Sequence, residues 1–125
     1  MAHDELIKIL GHYGAVHCFT GSLEEMRRYL NLGFYIGFNG IIFPAKGGPA
    51  SGWKIDLENT IKECPLDKIL VETDCPYLTP PAAGVEKNEP IFVKHVIQKI
   101  ADLKGTSFQE IADKTTENAK KLFKI

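Results

Sequence analysis

The chain has 125 residues, of which 44% are apolar and 25% charged, and its formal net charge is −1. This length suits one domain with a buried core, expected over residues 1–125, and the balanced charge gives no sign of a basic nucleic-acid-binding surface. No apolar run approaches the roughly 18–20 residues of a membrane span, and the mixed N-terminus is not that of a signal peptide. Three widely spaced cysteines, an odd number, favour the reducing cytoplasm over a disulfide framework.

Apolar periodicity and turn residues predict an alternation of helices and strands along the chain. Helices are expected over residues 4–11, 22–32, 55–64 and 90–104, from 106 onwards and over 115–123, and strands over 14–19, 34–42 and 69–73. Ser22 and Glu25 have the spacing of a capping box, and Pro90 suits the first turn of its helix. Strands that alternate with helices pair in parallel through right-handed crossovers, so the fold class is α/β. Three strands make a poor open sheet and an eight-stranded barrel takes about 250 residues, so the chain is expected to form part of a larger fold.

Two loops have more than one interpretation. Residues 44–53 are rich in Pro and Gly, and Trp53 at their end is expected to anchor the loop on the domain rather than to stack on bases. Asn88 and Glu89, just before Pro90, form either a device at the helix N-terminus or a contact at the mouth of a site, and the sequence favours the former.

Polar residues gather where the predicted strands end, which is where parallel α/β folds place their chemistry. His17 follows the first strand, Asn39 the second, and Glu72 and Asp74 the third, on one face if the strand alternation continues. An imidazole and carboxylates are ligands of hydrolytic divalent metals, and an Asp beside such a metal can take a proton from water. The alternative is a buried, hydrogen-bonded His17 and an Asp74 that caps a turn. Cys18 is expected to be a core thiol facing away from His17.

Several stretches together resemble one protein family. The segments HCFTGSLEE, LNLGFYIGFNGII, LDKILVETDCPYLTP, NEP and TTENAKKLF are similar, in order and spacing, to the carboxyl-terminal half of the TatD family of metal-dependent deoxyribonucleases. This resemblance implies the last part of an amidohydrolase-type TIM (β/α)8 barrel, whose strands six to eight would be the three predicted here. It also implies DNA as substrate, often cut from the 3′ end, and a divalent metal such as Mg, Mn or Zn.

The resemblance also implies roles for individual residues. His17 corresponds to a metal ligand after the sixth barrel strand, and Asp74 to a metal ligand after the eighth that also partners the nucleophilic water. Glu72 corresponds to the neighbouring active-site acid, in a supporting catalytic role.

Some parts of the family pattern have no counterpart in this sequence. The His-x-His pair of the first strand, a glutamate of the fourth and a histidine of the fifth are absent, and Ala82 and Ala83 stand where a His-Arg pair is common. We therefore expect the chain to begin after the fifth strand and to have little nuclease activity alone. It would be completed by the N-terminal half-barrel or by a second copy in a homodimer, and a non-catalytic binding module is the remaining alternative.

Overall fold

The chain forms a small parallel sheet with helices between its strands. A computed structural model describes residues 14–43 and 52–125, except the side chains of residues 52–55. The described part contains β1 (Ala15–Val16), α1 (Leu23–Asn31), β2 (Tyr35–Phe38), α2 (Gly52–Glu63), β3 (Ile69–Val71), α3 (Val93–Lys104) and α4 (Phe108–Phe123). The helix predicted over residues 4–11, most of the loop predicted over 44–53 and the Trp53 side chain lie outside the described residues.

The sheet has the order β1-β2-β3, and β2 pairs in parallel with both neighbours. This pairing confirms the predicted parallel α/β arrangement. All four residues of β2 are buried, as expected for a parallel strand covered on both faces. The numbering of these strands as six to eight of a barrel stays a prediction.

Each strand is shorter than predicted, because polar or turn-forming residues end it early. β1 stops before Cys18, whose φ of +50° belongs to the left-handed region. β2 stops before Asn39, whose Oδ1 accepts a hydrogen bond from the Ile41 amide at 3.0 Å and begins a 3₁₀ turn, Gly40–Ile42. The strand predicted to reach residue 73 ends at Val71.

An aromatic cluster joins the sheet to the helix after β1. Phe19 meets Tyr29 and Phe38 edge-on at ring-centroid distances of 6.3 and 6.4 Å, and Tyr29 meets Phe34 at 5.8 Å. All four rings are buried, and edge-to-face pairs add to the stability that burial itself provides. The cluster fixes α1 against the end of the sheet from which His17 projects.

The helix boundaries confirm one sequence prediction and correct another. The capping box at the start of α1 is present, with Glu25 N–H donating to Ser22 Oγ and Ser22 N–H to the Glu25 carboxylate. The helix start predicted at Thr106 or Ser107 is confirmed, since Ser107 caps α4, but the second start predicted at Thr115 or Thr116 is wrong, because α4 is continuous. Thr115 and Thr116 do not cap a new helix; their hydroxyls donate to the carbonyls one turn back, of Ile111 and Ala112.

Side chains from α3 and α4 hold the segment that leads into β3. The buried Asn118 amide donates to the carbonyls of Leu66 and Ile69, both at 2.8 Å. Lys104 Nζ donates to the carbonyls of Lys62 and Cys64 at the end of α2. Among the described helices none is long and apolar enough to span a membrane.

Candidate active site at the strand ends

The ends of the three strands lie side by side, as the sequence predicts. The hydrogen-bond ladder continues past the strands, since Phe19 N–H donates to Gly37 O and Glu72 N–H donates to Phe38 O, both at 2.9 Å. Residues 17–19 and 72 are therefore held at the same end of the sheet, where the strands stop.

The Glu72 carboxylate binds groups from both other strand ends. Its Oε2 lies 2.6 Å from His17 Nδ1. Its Oε1 accepts from the Cys18 backbone amide and, at 3.4 Å, from the Asn39 side-chain amide. Glu72 is largely buried, with 22% of its side chain exposed. These donors hold the carboxylate beside the His17 ring.

The contact with Glu72 determines how His17 can act. An ionised carboxylate only accepts hydrogen bonds, so the proton of a neutral ring sits on Nδ1 and the lone pair on Nε2. The His17 side chain is 64% exposed, so the alternative of a buried structural histidine is wrong. A histidine with one nitrogen held by a carboxylate is the usual arrangement of a metal-ligating imidazole.

Asp74 stands apart from this pair. The strand alternation on which a shared face with Glu72 was predicted ends at Val71, and Asp74 has a left-handed backbone with φ +56°. Asp74 is exposed, and the described residues provide no hydrogen bond to its carboxylate. The structure therefore joins His17 to Glu72 and leaves Asp74 facing solvent.

The loop that carries Asp74 is fastened by Asn88. The Asn88 amide donates to the carbonyls of Thr73 and Tyr77, both at 2.8 Å, while its Oδ1 accepts from Glu89 N–H at 3.0 Å. Asn88 is 5% exposed. The prediction that Asn88 and Glu89 cap the following helix is wrong, because the Pro90–Phe92 turn has no side-chain cap. Asn88 instead fixes the peptide that precedes Asp74.

The expectation for Cys18 is corrected as well. Its thiol is half-buried rather than part of the core, because β1 ends before the alternation reaches it. Its contribution to the site is a backbone N–H, which no side-chain pattern could reveal. The buried thiol is that of Cys64, and burial raises its pKa to about 12.

The donor types match a divalent metal, but their number is small. His17 Nε2 and the Asp74 carboxylate are suitable ligands in chemical type. Within residues 14–43 and 52–125, however, no group of three or more His, Cys, Asp or Glu side chains is arranged to hold a metal ion. Hydrolytic sites of this kind use at least three protein ligands, so the described residues form part of a metal centre at most.

Comparison with known proteins places the chain in one family. The family described as TatD related DNase matches residues 1–124. The uncharacterized metal-dependent hydrolase YabD of Bacillus subtilis is 42% identical over 99% of this chain and 48% of its own length. The 3'-5' ssDNA/RNA exonuclease TatD of Citrobacter rodentium is 37% identical over 99% of this chain and 49% of its own.

Solved structures agree with the sequence comparisons. The TatD homologue YjjV of Escherichia coli K12 superposes with a TM-score of 0.81 at 28% identity, covering 99% of this chain and 47% of that one. A TatD family hydrolase of Entamoeba histolytica gives 0.77 at 26% identity, over 95% and 46%. The chain spans about half the length of the curated relatives it matches. By its sequence and its fold, this chain belongs to the TatD family of DNase-related proteins.

Proposed function

We propose that this chain supplies part of the active site of a metal-dependent nuclease that hydrolyses phosphodiester bonds of single-stranded DNA from the 3′ end. The observation that carries the proposal is the 2.6 Å contact between Glu72 and His17 Nδ1, which leaves Nε2 directed to another partner. The names of relatives as metal-dependent hydrolase and as ssDNA/RNA exonuclease support the reaction and the substrate.

The roles of the residues follow from their surroundings. His17 and Asp74 would hold the divalent metal, with further ligands from outside the described residues. Such a metal, when bound, polarises the phosphoryl oxygen and makes water a better nucleophile. The Asp74 carboxylate, exposed and without a hydrogen bond from the described residues, would accept the proton of the attacking water, and Glu72 would keep the His17 ring in the required tautomer.

A nuclease assay with the 125-residue chain tests the proposal. Single-stranded DNA labelled at its 5′ end is incubated with the chain and Mg²⁺, Mn²⁺ or Zn²⁺. Because the described residues offer only two ligands, we expect little cleavage by the chain alone. We expect 3′ shortening once a fragment carrying the N-terminal half of a relative such as YabD is added, and its loss in Asp74→Ala. Efficient cleavage by the chain alone would contradict the shortage of ligands, and no shortening in any mixture would contradict the nuclease.

A second copy of the chain is the other partner we propose, for the chain in the absence of an N-terminal half. β3 forms one edge of the sheet, and a groove of about 390 Å³ runs beside it between α3 and α4, lined by apolar side chains such as Leu70, Val71 and Ile97. Unpaired edges of this kind favour association. A two-fold axis along the barrel would keep all the strands parallel and bring two His17 and two Asp74 side chains to one rim.

Light scattering tests this association. We expect the mass of two chains, reduced to one by Leu70→Lys at the groove, whereas Lys120→Ala on its polar rim should leave the mass unchanged. The mass of one chain for the unaltered protein would contradict the homodimer.

The cytoplasmic location also stays a prediction; it accords with the free thiols of Cys18, Cys64 and Cys75.

A further inference from the structure

The contact between Glu72 and His17 crosses the middle strand of the sheet. Glu72 follows β3 and His17 follows β1, and β2 lies between these two strands. The carboxylate therefore passes over a residue of β2, and that residue is Gly37. A Cβ built on Gly37 would lie 2.8 Å from Glu72 Oε2 and 3.1 Å from Glu72 Cδ.

These distances leave no room for a side chain at this position while the Glu72 carboxylate keeps its place. The residues of β2 on either side of Gly37, Ile36 and Phe38, have large and fully buried side chains. The row of side chains along the strand therefore has a gap at Gly37. Isolated glycines inside strands often mark such a close approach. The two shortest contacts are with the far end of a flexible side chain, and the third, with the Val16 carbonyl oxygen at 3.2 Å, is less close. A methyl group here would therefore displace the Glu72 carboxylate before it moved the backbone.

We propose that Gly37 is a positioning residue for His17. It keeps open the passage through which Glu72 reaches His17 Nδ1 and the Cys18 amide, and so it fixes the tautomer that exposes the Nε2 lone pair. That this lone pair binds a metal rests on the proposed function. The positioning of His17 by Gly37 and Glu72 does not, because it is a property of the chain without metal or substrate.

The tautomer of His17 is the direct readout. In the ¹⁵N-labelled 125-residue chain at pH 8, two-bond ¹H–¹⁵N correlation spectra distinguish Nδ1–H from Nε2–H rings. We expect Nδ1–H in the unaltered chain, and in Gly37→Ala a mixture of both forms like that of Glu72→Ala. Gly105→Ala is the control for a loss of stability elsewhere in the chain, because Gly105 is exposed and has open space around it but a φ of +65° that strains any other residue; this variant should retain Nδ1–H. An Nδ1–H ring in Gly37→Ala would overturn the proposal.

A double-mutant cycle tests the cause. If Gly37→Ala acts by displacing the Glu72 carboxylate, it should lower the folding equilibrium constant roughly tenfold in the unaltered chain. The loss should be clearly smaller in Glu72→Ala, where only the 3.2 Å contact with the Val16 carbonyl remains. Equal losses in both backgrounds would overturn the proposal. If Gly37→Ala does not fold, the double variant decides: a folded double variant supports the displacement, and an unfolded one contradicts it.

Neither readout involves metal or DNA. A chain that shows the expected tautomers but never cleaves DNA in the mixtures above would retain the positioning role of Gly37 and lose the proposed function. Conversely, 3′ shortening of DNA together with an unaltered His17 tautomer in Gly37→Ala would support the nuclease and contradict the positioning role of Gly37.

Discussion

Asn88 should contribute more to stability than its place in a loop suggests, and Asn88→Ala tests this. The side chain is 5% exposed and takes part in three hydrogen bonds of 3.0 Å or less, to the carbonyls of Thr73 and Tyr77 and from the Glu89 amide, besides a longer one of 3.5 Å to the Leu78 carbonyl. A hydrogen bond contributes about 1 kcal/mol net to stability. Removal of the Asn88 side chain, with its three short hydrogen bonds, should therefore lower the free energy of unfolding by about 3 kcal/mol. Urea denaturation followed by circular dichroism measures this loss.

The loss should be concentrated in the loop that carries Asp74. Tyr77 N–H donates to Asp74 O, and the amide of residue 88 donates to Pro76 O. Native-state hydrogen exchange at these two amides should accelerate in Asn88→Ala more than exchange in β2. Asn88→Asp keeps the size and the acceptor but removes both donors, so it should be at least as damaging at pH 7.

Asn31→Ala provides the control, because Asn31 is exposed at the end of α1 and its replacement should change stability by less than about 0.5 kcal/mol. A similarly small change in Asn88→Ala, with unaltered exchange at Tyr77, would refute the reasoning.

Further predictions concern the buried Asn118, the close backbone contact at Gly40 and the buried thiol of Cys64. Asn118→Ala removes two hydrogen bonds to buried carbonyls and should cost about 2–4 kcal/mol in urea denaturation; a loss below about 1 kcal/mol would contradict it. Gly40→Ala would drive a Cβ into the Leu78 carbonyl and should cost at least about 3 kcal/mol. Gly84→Ala, which has open space but a φ of +68°, should cost only about 1–2 kcal/mol. Because burial raises the pKa of Cys64 from 9.0 to about 12, the unfolded chain loses this thiol proton first. Stability should therefore fall as pH rises from 9 towards 12, by up to about 1.4 kcal/mol per pH unit more than in Cys64→Ala; parallel profiles would contradict this.

The sequence predicted the parts of the fold that depend on local signals. The capping box of Ser22 and Glu25 and the buried run of β2 follow from residue type and period, and both are confirmed. The continuous α4 was missed because threonines usually favour a helix start over a helix interior. Here their hydroxyls bond back to carbonyls one turn earlier, and the helix continues.

The site was predictable in its location but less so in its contacts. His17 and Glu72 are predicted to lie at the same end of the sheet because parallel strands bring their carboxyl ends together. The pairing of His17 with Glu72, and the separation of Asp74 from both, depend on where β3 stops and on the left-handed backbone of residue 74. Strand alternation cannot anticipate either feature. The role of Asn88 was likewise hidden, because its acceptors are backbone carbonyls of residues 73 and 77.

Asn118 and Asn88 bind backbone carbonyls near the two ends of β3, and this has a consequence for how the chain folds. A strand of three residues has little to set its register by pairing alone, and a shift of one residue would reverse its faces. The amide of Asn118 holds the carbonyls of residues 66 and 69, and that of Asn88 holds the carbonyl of residue 73. A shift would break both sets of bonds at once. During synthesis the strand cannot be locked in place until residue 118 has emerged, so the site edge formed by Glu72 is completed only when the last helix docks.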